Sequence, residues 1–147
     1  MPKPRPDHDL FALLVADVFH AAGEMRREGE AIAKQAGQTQ ARWQLMSVIS
    51  EGDWTVADAA RRLGVARQGV QRIADELVAA GLARYAENPR HRRSSYLRLT
   101  EEGGRTLSEI NGIAKPRHLA LRRRFSRSEL EQTRDVLRRA VSALREQ

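Results

Sequence analysis

Apolar residues recur at helical spacing over the first third of the chain. Leu10, Phe11, Leu14, Val18, Ala21, Ala22 and Met25 predict a long first helix from Asp9 to about Gln35, with a highly charged second half. Gly37 ends it. Thr39 is placed to cap a second helix running through Ser50. Trp43, Met46 and Ile49 share one face of that helix, with Leu45 and Val48 beside them, and a helix apolar on more than one face is buried. After a break at Gly52-Asp53, Thr55-Val56-Ala57-Asp58 reads as a capping box, a hydroxyl followed three residues later by an acid. It opens a short third helix with the stripe Val56, Ala59, Ala60 and Leu63, stopped by Gly64. A fourth helix follows from near Ala66 to Ala80, with Gly81 as its stop. Two short helices joined by a Gly-containing turn have the spacing of a helix-turn-helix.

Two extended stretches come next, Leu82 to Glu87 and Ser95 to Thr100, separated by the turn signal Asn88-Pro89 and an arginine-rich tip. In the second stretch Tyr96 and Arg98 alternate with Leu97 and Leu99, which predicts a β-hairpin with a long basic loop. Helix resumes after Thr100 and is expected to reach about Phe125, broken or bent near Pro116. Ser126-Arg127-Ser128-Glu129 is a second capping box. The last helix carries Leu130, Val136, Leu137, Ala140, Val141 and Leu144 on one stripe.

Composition narrows the function classes. In 147 residues there are 26 basic and 19 acidic side chains, a net charge of +7, which favours a polyanionic partner, nucleic acid before an anionic membrane surface. The absence of cysteine excludes disulfides, thiolate zinc sites and thiol redox sensing within the chain. The four histidines, at 8, 20, 91 and 118, have no metal-ligand spacing, and no cofactor is expected. No apolar run approaches the ~18 residues of a membrane span. Met1-Pro2-Lys3-Pro4-Arg5-Pro6 lacks the apolar stretch of a signal peptide, so a cytoplasmic location and no membrane partner are expected.

The fourth helix carries the most specific chemistry. At 100° per residue Val70, Ile73, Ala74 and Leu77 fall on one side, and Arg67, Gln68, Gln71, Arg72 and Asp75 on the other. Arg reads guanine O6/N7 and Gln reads adenine N6/N7, both bidentately, and the second helix of a helix-turn-helix is the one that enters the major groove. The bland alternative is a solvated face. The hairpin tip adds Arg90, His91, Arg92, Arg93 and Ser94. Between Arg84 and Arg98 there are five arginines against one acid, Glu87. Such a cluster is self-repelling unless it meets a polyanion, and an arginine tip suits a narrow minor groove. Thr55 is a further candidate, for contact with the DNA backbone. The flanking helices need a partner surface for their stripes; intersubunit packing would make a homodimer suited to palindromic half-sites.

From Leu10 to the C-terminus the chain resembles the MarR family of winged-helix regulators. The most specific stretches are Gln40-Ala41-Arg42-Trp43-Gln44-Leu45, Val56-Ala57-Asp58-Ala59-Ala60-Arg61-Arg62-Leu63-Gly64-Val65 and Leu77-Val78-Ala79-Ala80-Gly81-Leu82. The family's wing pattern, ending in Leu-Thr-x-x-Gly, matches His91 to Gly103. The resemblance implies that Arg93 is the wing-tip arginine and that Arg67, Gln68, Gln71 and Arg72 take base-reading positions. Two departures stand out: His91 replaces the family's wing acid, and Ala66 stands where a Ser often caps the reading helix. The resemblance also implies repression, and a small aromatic or anionic effector in a crevice beside the DNA-binding core. Phe19, His20, Trp43 and Met46 are candidates to line it, with core packing as the alternative.

The expected fold is therefore mainly α with a small β-hairpin wing: a winged helix-turn-helix core at 37–100, a helical dimerisation region at 9–36 and 101–147, and an extended Pro-rich arm at 1–8. The expected function is that of a sequence-specific, double-stranded-DNA-binding transcriptional regulator. Rival readings are a nucleoid-type DNA-binding protein of low specificity and a winged-helix protein-interaction module. Nothing in the chain has the pattern of a nucleophile–base pair or a phosphate loop, so no enzymatic activity is expected.

Overall fold

The computed structural model describes residues 9–146; the Pro-rich arm expected at 1–8 lies outside the described residues. The chain divides into two compact units, Met1–Asn111 and Gly112–Gln147. The elements run α1 (Leu10–Lys34), α2 (Gln40–Ile49), β1 (Trp54–Thr55), α3 (Val56–Leu63), α4 (Arg67–Ala79), β2 (Ala83–Ala86), β3 (Tyr96–Leu99), α5 (Glu101–Arg122) and α6 (Arg127–Arg145).

Local chemistry sets most of these boundaries. Asp9, Thr39, Thr55 and Ser126 each adopt extended backbone and accept a hydrogen bond from an N–H of the following first turn. At Ser126 the exchange is reciprocal: its hydroxyl accepts from Glu129 N at 3.1 Å and Glu129 Oε2 accepts from Ser126 N at 2.8 Å. Gly64 ends α3 at φ +68°, a left-handed conformation that costs other residues about 1 kcal/mol or more.

One expectation is extended and one is corrected. The expected hairpin forms, with β2 pairing antiparallel to β3, and Trp54 and Thr55 add a third strand by pairing with Leu97 and Tyr96, in the order β1-β3-β2. Two residues are too few to show a period of two. Near Pro116 the helix neither breaks nor ends: α5 runs through it and stops at Arg122. Proline removes one N–H and crowds the carbonyl four residues earlier; that residue, Gly112, is exposed, so water can serve its carbonyl.

The core of the first unit lies where α2, α3 and α4 meet the sheet. Leu45, Met46, Leu77, Leu97 and Ile110 are its largest fully buried side chains, each stabilising the fold by roughly 1.5–3 kcal/mol. Leu97 sits on the central strand, so the wing is anchored in this core. The step from β3 into α5 is equally tight. Thr100 Oγ1 donates to Gly81 O at 2.6 Å and accepts from Gly103 N at 3.0 Å, while Thr100 N donates to Leu82 O at 3.1 Å. A Cβ on Gly103 would overlap the Leu82 carbonyl oxygen and lie 2.9 Å from its carbon. The Leu99-Thr100-x-x-Gly103 pattern is thus a packing requirement: threonine caps α5, and glycine lets it approach the α4–β2 corner.

In the second unit α6 has no buried residue, and Leu130, Val136, Leu137, Val141 and Leu144 are exposed.

Candidate nucleic-acid interface

The amphipathic pattern of α4 orients it. Val70, Ala74 and Leu77 are buried and Ile73 half-buried, which turns Arg67, Gln68 and Arg72 to solvent with Gln71 half-exposed beside them. Ala66, at the N-cap, supplies no side-chain hydrogen bond. The first-turn N–H groups therefore keep their capacity to bind an anion, aided by the helix dipole.

The wing tip is built around a residue the sequence left as a turn signal. Asn88 is only 6% exposed. Its amide donates to Ser94 O at 2.8 Å and its Oδ1 accepts from Arg90 N at 3.0 Å. His91 N donates to Asn88 O at 3.2 Å, and Ser94 N to His91 O at 3.1 Å. This folded loop projects Arg90, Arg92 and Arg93, all exposed. Asn-Pro marked the turn, but nothing local signalled that the asparagine would be buried. Arg98, counted in the same basic cluster, is neutralised: it pairs with Asp53 at 2.7 Å and lies over the Tyr96 ring, 5.6 Å from its centre.

The two elements meet. A cleft of about 220 Å³ is lined by Thr55, Val56, Ala57, Arg67, Gln71, Tyr85, Arg93, Ser94 and Ser95. It joins the start of α3, the first turns of α4 and the wing, and it gathers five expected site residues: Thr55, Arg67, Gln71, Arg93 and Ser94. Gln68 and Arg72 lie on the outer face of α4 with Arg67 and Gln71. Arg90 and Arg92 lie on the wing outside the cleft. Thr55 is 8% exposed and its hydroxyl already caps α3, accepting from Asp58 N at 3.1 Å, which leaves it one proton to donate. Among the described residues Arg67, Arg72, Arg90, Arg92 and Arg93 have no ion pair. Uncompensated cations on two adjoining projections complement a line of phosphates.

Tyr85, on β2, was missed by sequence reasoning. Its Oη donates to Asp75 Oδ1 at 2.8 Å and accepts from Gln71 Nε2 at 2.8 Å, while Gln71 Nε2 also donates to Asp75 Oδ1 at 3.1 Å. Partial burial, then the Asp75 carboxylate beside it, push the phenol above its ordinary pKa.

The four effector candidates are not brought together. Phe19 is 72% exposed, and His20 is exposed on the same helix. Trp43 is half-buried and donates to Asn111 Oδ1 at 3.0 Å. Met46 is wholly enclosed in the core, so it cannot line a crevice; α2 is apolar on more than one face, and Met46 takes the inner one. A groove of about 560 Å³ does open between α1, α2 and α4, lined by Ala22, Met25, Arg26, Gln40, Gln44, Val70, Arg72 and Ile73 among others, and by none of those four. Among the described residues no cluster could hold a metal ion, and no helix is long and apolar enough to cross a membrane.

Comparison with known proteins agrees with this geometry. The MarR family model matches residues 36–94. An uncharacterised protein of Mycobacterium tuberculosis is 52% identical over 137 residues, covering 93% of this chain and 96% of that protein. The crystal structure of a MarR mutant from E. coli complexed with operator DNA superposes with a TM-score of 0.71 at 19% identity, over 90% of this chain and 99% of that one. NadR in complex with 4-hydroxyphenylacetate gives a TM-score of 0.78 at 23% identity, over 95% and 97%. These structural likenesses establish the fold. With the matching family model and the outward Arg/Gln face of α4 beside a basic wing, the chain belongs to the MarR family of winged helix-turn-helix, DNA-binding transcriptional regulators.

Proposed function

We propose that the protein is a cytoplasmic repressor that binds a palindromic operator as a homodimer and is released by a small aromatic or anionic effector. The observation that carries this reading is the cleft joining Thr55, Arg67, Gln71, Arg93 and Ser94. It sets base-reading side chains of α4 next to a wing that can reach the neighbouring groove.

Dimerisation is supported by apolar side chains left uncovered at both ends of the chain. On α1, Leu10, Phe11, Val18 and Met25, which share one face at 100° per residue, are exposed, as are the five residues named on α6. Stripes of this kind mark association surfaces. An effector site is supported by the groove between α1, α2 and α4, where Arg26 and Arg72 offer charge to an anion and Met25 and Val70 offer apolar contact. Arg72 and Ile73 belong to α4, so an occupant there bears directly on the reading helix. NadR, a protein of the same fold, was crystallised with an aromatic carboxylate.

Genomic footprinting with the purified protein tests the proposal. Discrete protected sites with two-fold symmetry and half-site centres about one helical turn apart are expected. Uniform protection without preferred sites would mean a nucleoid-type protein instead.

A further inference from the structure

Arg72 belongs to two surfaces at once. It lines the outer face of α4 with Arg67, Gln68 and Gln71, and it lines the groove of about 560 Å³ between α1, α2 and α4. Helix geometry gives the reason. At 100° per residue Arg72 falls between Gln68, which belongs to the outer face, and Gly69, which belongs to the groove. Arg72 is exposed and has no ion pair among the described residues. A guanidinium on a long, unfastened stem at such an edge can serve either side, but not both together.

The groove suits an anion with an apolar body. Arg26 on α1 is its other cation, also exposed and without an ion pair among the described residues. No acidic side chain among the described residues lines the groove, and Leu63, Val65 and Ile73 supply apolar surface. Two uncompensated guanidiniums beside such a lining complement a carboxylate or sulfonate carried on a hydrophobic group. An anion held by Arg72 takes the same donors that guanine O6 and N7 would accept from. Resting on the reading of this groove as the effector site, we propose that Arg72 is shared between ligand and DNA. An amphipathic anion in the groove loosens the operator by withdrawing one base contact, and no displacement of α4 or of the wing is required. Two consequences are particular to this scheme. The ligand weakens binding to the operator and leaves binding to random duplex alone, because the contact withdrawn is one that reads bases. Its effect also has a ceiling, the loss that Arg72→Ala itself causes. By linkage the operator lowers the ligand's affinity by the same factor.

The probe is 8-anilinonaphthalene-1-sulfonate, an aromatic body with one sulfonate and a fluorescence that rises in apolar surroundings. A footprinted operator and a random duplex are titrated with the full-length protein at one ionic strength, without probe and with enough probe to saturate each protein's own fluorescence. For wild type, the probe is expected to weaken operator binding roughly tenfold to a hundredfold, the worth of one bidentate guanine contact, and to change binding to random duplex less than about twofold. Arg72→Ala should bind the operator without probe about as weakly as wild type does with it, and the probe should change that affinity less than about twofold. Gly69 fixes the location. A Cβ there meets nothing within 4 Å, so the side chain of Gly69→Leu extends into open groove and should abolish the probe's effect. Equal weakening of the operator and the random duplex overturns the proposal. So does an Arg72→Ala protein that the probe still releases from the operator, or one that keeps wild-type operator affinity. In each of these cases the groove still stands as an effector site. A probe that does not bind, or whose effect survives Gly69→Leu, overturns the reading of the groove as well.

Discussion

Gly103 gives the sharpest stability test of the packing that supports the wing. A Cβ there would overlap the Leu82 carbonyl oxygen, lie 2.9 Å from the carbonyl carbon and sit 3.1 Å from Leu99 Cδ2. The first two are backbone atoms and the new carbon is fixed to the backbone, so no rotamer relieves the overlap. Either α5 or the α4–β2 corner must move, and the Leu82 carbonyl accepts from Thr100 N. Overpacking costs about 1–3 kcal/mol, and a strained or lost hydrogen bond at a buried residue adds about 1–2 kcal/mol. The expected destabilisation by Gly103→Ala is therefore about 3 kcal/mol, or about 10 °C in Tm for a chain of this size. The adjacent Gly104→Ala is the control. It occupies the same helix with nothing within 4 Å of its Cβ, and helix propensity alone should stabilise it by about 0.5–1 kcal/mol. Urea unfolding of both variants at one protein concentration measures the difference. If the two shift the midpoint in the same direction by similar amounts, the close approach is not a structural constraint and the reasoning fails.

Three further outcomes are expected. Ala66→Ser should supply the missing N-cap of α4, whose backbone is already extended at φ −64°, ψ 136°, and raise stability by about 1 kcal/mol; an unchanged or lower thermal midpoint counts against it. Asn88→Ala should cost about 1–3 kcal/mol and speed hydrogen exchange at the Arg90 amide, because the bond from Arg90 N to Asn88 Oδ1 is lost together with the one from the Asn88 amide to Ser94 O; an Arg90 amide with wild-type protection would remove Asn88 from that role. Arg93→Ala should lower the salt slope of DNA binding by about 1, equally on specific and random duplexes; an unchanged slope means that Arg93 contacts no phosphate.

Features that depend on neighbours in sequence were readable in advance. Thr39, Thr55 and Ser126 were identifiable as caps because the bond each makes spans three residues. The faces of α4 followed from 100° per residue, and Val70, Ala74 and Leu77 are buried as that geometry requires. Features that depend on distant partners were not readable. Trp54 and Thr55 become a strand only because β3 lies alongside, some forty residues away. Tyr85 looked like one residue of a hairpin, and its grip on Gln71 and Asp75 exists only once β2 folds against α4. Arg98 seemed one of five repelling cations until the fold supplied Asp53. Met46 shows the limit on α2: a helix apolar on more than one face does not disclose which face is the inner one.

The central claim is that the outward face of α4 reads DNA sequence. Titration of wild type and Arg72→Ala, on a footprinted duplex and on a shuffled duplex of the same composition at one ionic strength, tests it most directly. Arg72 is exposed on that face, so its loss should cost about 1–3 kcal/mol on the footprinted duplex and much less on the shuffled one. An equal loss on both would make Arg72 a phosphate contact and contradict the claim.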